Sequence, residues 1–169
     1  MGRAVHGVLQ DVDLSTGEGL EALADRQAAA EGVSGRSGIV AGMARAALDT
    51  DVAREAAASQ HWRELFVAAP FGERLVEGYV DLVYRSPDGL VVVDWKTDAI
   101  GGAGAAAAKL ARYRLQGAAY AAALEAVTGE PVARMVFVFL DRAGAVEHDL
   151  PDLRAAVDEA AATAAGLSG

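Results

Sequence analysis

The run from Leu75 to Asp98, LVEGYVDLVYRSPDGLVVVDWKTD, constrains this chain more than any other stretch. Two apolar segments rich in valine flank Ser86-Pro87-Asp88-Gly89, a strong turn signal. They predict a hairpin with strands over Leu75–Tyr84 and Leu90–Thr97. Val91, Val92 and Val93 lead the second strand, so it is expected to be buried on both faces. Residues two apart in a strand share a face, so Asp94 and Lys96 project together while Trp95 points away. An acid and a lysine at the end of such a strand are costly unless something pairs them. If the hairpin forms, Asp81 can be brought beside Asp94. Two carboxylates at one point make an oxygen-rich site suited to Mg²⁺.

A D-x-K triplet alone is an ordinary feature of a solvated surface hairpin. Here Asp94 follows three valines and Asp81 lies inside an apolar segment, which turns the reading toward chemistry. A metal-dependent phosphodiesterase needs carboxylates to hold a divalent ion against a phosphate. A lysine nearby can orient the attacking water and stabilise transition-state charge.

The 169 residues suffice for one domain with a real core and are few for two. The whole chain, 1–169, is expected to be one unit: a helical part over 1–60, then a sheet core over 61–169. Residues 2–12 read as a helix with Val5, Val8, Leu9 and Val12 on one stripe. A second helix is expected over 19–31, capped by Ser15 or Thr16, then a Gly/Ser linker over 32–38. Two short helices follow, over 39–48 and 52–59, the latter begun by Asp51 as N-cap. A strand over 62–69 precedes a turn at Pro70-Phe71-Gly72. Beyond the hairpin come a glycine-rich segment at 100–105, read as mobile, and a long alanine-rich helix over about 106–128. That helix ends at Gly129. A strand over 132–140, a turn at 141–144, a short strand and a helix over 152–165 capped by Asp152 complete the chain. The order predicts an α/β fold with a mixed sheet.

The chain has no cysteine, which excludes disulfides, Cys-zinc sites and an iron–sulfur cluster. No stretch approaches the roughly 20 apolar residues of a membrane span, and no signal-peptide core is seen, so a cytoplasmic protein is expected. The net charge of −9 is unusual for a free-standing nucleic-acid binder. A domain tethered to a larger machine needs little affinity of its own.

With these motifs in place, Gly78-Tyr79-Val80-Asp81 and Val93-Asp94-Trp95-Lys96-Thr97 resemble the nuclease domain of the RecB/AddA type. That is a branch of the PD-(D/E)XK nucleases, found at the end of UvrD-like helicase chains. Gly2-Arg3-Ala4-Val5-His6 is similar to that branch's G-x-x-x-H helix, whose histidine completes the metal site. Tyr113, Gln116 and Tyr120 match its Y-x-x-Q-x-x-x-Y motif and share a helix face. The bland reading of that face is a core stripe, which suits Tyr120 better than Gln116. The resemblance implies a restriction-endonuclease-like core. It implies His6, Asp81, Asp94 and the main-chain carbonyl of Trp95 as ligands of Mg²⁺ or Mn²⁺, with Lys96 catalytic and Gln116 and Tyr120 in support. Glu64 resembles an acid on the strand before the hairpin and is either a participant or a solvated residue. Thr97 fits the K-T of the motif, and Asp98 flanks it. His61 and His148 are read as structural or surface residues. The implied activity is hydrolysis of DNA, exonucleolytic rather than endonucleolytic, on single strands delivered by a helicase during double-strand-break repair. An inactive nuclease-like module that docks or guides DNA is the alternative. An unrelated α/β enzyme with a phosphate loop at Gly101–Gly104 lacks the glycine spacing and the following Lys-Ser/Thr.

Overall fold

The computed structural model describes residues 1–71, 74–97 and 105–166. Four helices come first: α1 (Gly2–Asp11), α2 (Leu20–Ala30), α3 (Ser37–Leu48) and α4 (Asp51–Ala57). Three strands follow, β1 (His61–Phe71), β2 (Arg74–Ser86) and β3 (Gly89–Lys96). Then come α5 (Ala105–Thr128), β4 (Val132–Asp141), β5 (Gly144–Asp149) and α6 (Leu153–Gly166).

The strands form one sheet in the order β1-β2-β3-β4-β5. The pairing is antiparallel except between β3 and β4, which run parallel and are joined by α5. A parallel pair needs such a long crossover. Helices cover both faces. On one side, Val5, Val8 and Leu9 of α1 and the buried faces of α2, α3 and α4 pack on Leu82, Tyr84, Val91, Val93 and Trp95. On the other, Ala118, Ala121 and Leu124 of α5 pack with Val80, Val83, Leu90, Val92 and Phe137. Strand β3 therefore lies between two cores, and residues 90–95 are all buried. That accounts for its unbroken valines, because a strand covered on both faces has no polar side to present.

Small residues set the approach of helix to sheet. A Cβ at Gly117 on α5 would lie 2.8 Å from Phe137 and 3.0 Å from Met135. One at Gly78 on β2 would lie 3.0 Å from the Tyr120 hydroxyl, so the phenol ring rests directly over the strand.

Several local expectations are corrected. The N-cap of α4 is Thr50, whose hydroxyl accepts from Ala53 N–H, and Asp51 is the first helical residue. Glu147 of β5 accepts from the Asp51 and Val52 amides, so this helix start is closed from across the fold. Neither Ser15 nor Thr16 caps α2. Both are drawn to the Asp13 carboxylate, and α2 starts from Gly19 in the left-handed region, at φ 75°. The expected linker at 32–38 holds a 3-10 turn over Ser34–Arg36 and the first residues of α3. Pro70 and Phe71 do not turn the chain; they extend β1, opposite Leu75 and Arg74. A proline on an edge strand removes no ladder bond that the sheet needs. Asp152 precedes α6 at φ 51°, its carbonyl accepting from Ala156 N–H. Residues 100–104 of the glycine-rich segment expected to be mobile lie outside the described residues, as do Gly72 and Asp98, and Ala105 begins α5.

Candidate active site

The acids stand at one level of three neighbouring strands. The β2–β3 ladder ends at Leu82–Val93, and the next level holds Asp81 and Asp94. The β1–β2 ladder pairs Arg63 with Leu82 and Leu65 with Val80, but skips Glu64 and Asp81 between them. Glu64 is held at φ 49°, a conformation costly for a residue with a Cβ. The break has a cause visible in the packing. Arg63 reaches the carbonyls of Leu9 in α1 and of Val12 just after it, and Glu64 also faces α1, while Trp62 and Leu65 pack toward α5. On β2, Asp81 meets His6 of α1 and the adjacent Leu82 packs into the same side. Each strand thus points two consecutive residues to one face. The shift frees Glu64 and Asp81 from the ladder and turns both toward the N-terminal helix.

Helix α1 supplies the imidazole. Gly2 and His6 are four residues apart, on one face of the helix. A Cβ at Gly2 would lie 2.7 Å from Thr97 Oγ1, so glycine lets α1 approach the end of β3. One turn on, His6 Nδ1 lies 3.0 Å from Asp81 Oδ1. Asp81 Oδ2 accepts from Trp95 N–H at 2.7 Å, which fixes the carboxylate against the strand it has separated from. Ligating atoms of His6, Glu64 and Asp81 all lie within 4.8 Å of one another, a spacing suited to one divalent ion. These three line an open polar cleft of about 520 Å³ with Gln10 and Gln27.

Asp94 and Lys96 meet α5 instead. Asp94 is 5% exposed, and with Thr50 it makes up the buried polar side chains among the described residues. Lys96 Nζ lies 2.7 Å from Asp94 Oδ2. This ion pair is the contact the structure gives Asp94 Oδ2, and no other donor among the described residues reaches that oxygen. Lys96 Nζ donates to Gln116 Oε1 at 3.2 Å and sits 4.4 Å from the centre of the Tyr113 ring. Gln116 Nε2 contacts the Tyr120 hydroxyl at 3.4 Å. The Y-x-x-Q-x-x-x-Y face is therefore an arm that holds the lysine.

The protonation pattern follows from this crowding. Burial pushes the Asp94 carboxyl up to about 7, Asp81 adds to the effect, and Lys96 opposes it. Burial and then Asp81 raise Glu64, with His6 opposing. Burial pulls His6 down, but Asp81, with Asp94 and Glu64 behind it, outweighs that and holds the imidazole above its ordinary value. Crowded carboxylates, two of which resist ionisation, are what a cation would relieve. The donor set of carboxylates and one imidazole fits Mg²⁺ or Mn²⁺.

Of the described residues singled out in the sequence, all lie around this site except His61 and His148. His61 Nδ1 contacts the Ser59 carbonyl, and His148 packs edge-on to Phe139. Glu64 holds a larger part than its sequence context gives it. The signal was the adjacent polar pair Arg63-Glu64, which breaks the alternation of β1.

The family model of the PD-(D/E)XK nuclease superfamily matches residues 1–167. The chain belongs to the PD-(D/E)XK nuclease superfamily. Its mixed sheet between helical layers is that superfamily's restriction-endonuclease-like core. Among curated proteins it is similar to an ATP-dependent helicase/nuclease subunit of the AddA kind from Desulforudis audaxviator, at 42% identity over 73 residues, 43% of this chain. The corresponding helicase/nuclease subunit of Acetivibrio thermocellus is 37% identical over 82 residues, 47% of the chain, and that of Alkaliphilus oremlandii 39% over 67 residues, 40% of the chain. The matched segments span 6% of the length of each relative. These likenesses put the chain with the RecB/AddA type within the superfamily. No helix among the described residues is long and apolar enough to cross a membrane.

Proposed function

We propose that this chain hydrolyses phosphodiester bonds of single-stranded DNA, with Mg²⁺ or Mn²⁺ at the His6–Glu64–Asp81 cluster. The observation that carries the reading is the alignment of Glu64, Asp81 and Asp94 at one level of three strands, with His6 on one side and a held Lys96 on the other. His6, Glu64 and Asp81 would hold the ion, and Asp94, paired at Oδ2 with Lys96, and the Trp95 carbonyl would complete its surroundings. A divalent ion held there supplies Lewis-acid polarisation of the phosphate and a more acidic bound water.

The chain's own groups do the rest. Asp81, tied to Trp95 N–H and His6, is fixed before substrate arrives, so little reorganisation is needed at reaction. Lys96 is held at its ammonium by Asp94, Gln116 and the Tyr113 ring. In this position it orients the attacking water and neutralises charge growing on the phosphate. In-line attack leaves a 5′-phosphate and a 3′-hydroxyl. Gln116 and Tyr120 position the lysine. The likeness to helicase/nuclease proteins supports a strand fed by a helicase in the same assembly; with it we propose exonucleolytic cutting in the cytoplasm during double-strand-break repair. The acidic charge of the chain accords with DNA delivered rather than captured.

Calorimetric titration with Mn²⁺ tests the centre. Site-specific heat lost in Asp81→Ala and reduced in Glu64→Gln supports it. Absence of such heat in the wild type would identify an inactive module instead.

A further inference from the structure

Two rungs from Glu64 and Asp81, β1 and β2 carry two exposed aromatic rings. Phe66 pairs with Tyr79 across β1 and β2, and their ring centres are 5.2 Å apart at 56°. Phe66 is 53% and Tyr79 60% exposed, among the most exposed large apolar side chains described. Leu65 and Val80, their chain neighbours, face the α5 core, and Gly78 faces Tyr120. Phe66 and Tyr79 therefore point to the other side, the side to which Glu64 and Asp81 turn. Two residues along a strand is about 7 Å. That is the reach from a phosphate to the base of its own nucleotide.

We propose that Phe66 and Tyr79 form a stacking platform for a nucleobase of the single strand whose phosphate lies at the acid cluster. The inference rests on the nuclease reading and names how the substrate is held. Aromatic faces suit this partner because every base offers a π surface, so stacking holds a strand regardless of sequence. They need no positive charge, which is what an acidic chain requires of a DNA contact. The platform is continuous with the site along both strands. The rings lie on a stretch of β1 and β2 that the helices leave open, where Ala68, Pro70, Leu75 and Glu77 are exposed as well.

A 15-nucleotide single strand carrying 2-aminopurine tests the proposal with the 169-residue chain and Mg²⁺. One sample is read twice, by fluorescence for stacking and by gel for cleavage. The wild type is expected to quench the aminopurine. Phe66→Leu/Tyr79→Leu, which keeps apolar bulk without the ring faces, should lose the quenching and bind about tenfold more weakly. Tyr79→Trp should retain both. Quenching and affinity unchanged in the double-leucine variant would overturn the platform. So would a wild type that cleaves without quenching, and the nuclease reading would then stand alone. Quenching that depends on the rings with no cleavage would keep the platform while the nuclease reading fell. A double-leucine variant altered only in self-association by sedimentation would mark the face as a protein contact and overturn the proposal.

Discussion

Lys96 Nζ lies 2.7 Å from Asp94 Oδ2, and no other donor among the described residues reaches that oxygen. The pair is a close contact of opposite charges at the buried end of β3. Asp94 is nearly inaccessible and has Asp81 beside it, so its ionised form is disfavoured even with the ammonium in contact. A site built for binding a cation trades stability in this way.

Asp94→Asn removes the charge and keeps the shape. Because burial and Asp81 outweigh Lys96, the metal-free variant should be more stable than the wild type at pH 8, by on the order of 1 kcal/mol. Urea denaturation in chelator measures it. The same variant should lose nearly all metal-dependent cleavage. A less stable, active variant would contradict the assignment.

The three raised groups set the sign of the pH dependence. Asp94 titrates near 4 when unfolded and near 7 when folded, so between those values the folded state holds the extra proton. Stability from Asp94 is full below the lower value and lost as pH rises through the upper. Raised Glu64 and His6 act in the same direction, His6 from its ordinary value upward. Metal-free protein should therefore lose melting temperature from these groups as pH rises from about 5 to 8. Mn²⁺ displaces the protons, so its stabilisation should be larger at pH 8 than at pH 6. Calorimetric scans at the two values, with and without Mn²⁺, check this. An equal or smaller shift at pH 8 would count against the cluster as the binding site.

Gln116 tests the arm that holds the lysine. Gln116→Ala removes the Oε1 acceptor of Lys96 and the link to Tyr120. Single-turnover cleavage should slow by roughly tenfold, about 1.4 kcal/mol, with oligonucleotide affinity little changed. Affinity lost with the rate retained would make Gln116 a substrate contact instead.

Gly117→Ala tests the seating of α5. The new methyl would meet Phe137 and Met135 at 3.0 Å or less, so the helix must shift or the core must yield. Overpacking of this kind costs about 1 to 3 kcal/mol. Cleavage should fall as well, because the same helix holds Gln116. Thermal denaturation and cleavage rates together check it.

Much of this was legible in the sequence because it was periodic or punctuated. The valines before Asp94 marked a strand covered on both faces, and Ser86 to Gly89 marked the hairpin. The close approach of α1 was written in Gly2 and His6, but its meaning needs Thr97, far along the chain, against which the glycine packs. Glu64 was less legible. Its place depends on a phase shift that β1 and β2 make together, and a single strand's alternation shows only a break at Arg63-Glu64. The caps turn on local competition between neighbouring polar residues, Thr50 against Asp51 and Asp13 against Ser15 and Thr16, which spacing alone does not decide. Glu147 closes α4 from β5, and local spacing around Thr50 and Asp51 cannot reveal it. Strand β1 outran its expected end because Pro70 reads locally as a turn, while its edge position makes it harmless.

The most direct test is cleavage of an end-labelled single-stranded oligonucleotide by the wild type and Asp94→Ala, in Mg²⁺, in Mn²⁺ and in chelator. The predicted result is cleavage by the wild type with either metal, none in chelator, and none by Asp94→Ala. Metal-dependent cleavage that persists undiminished in Asp94→Ala would contradict the account.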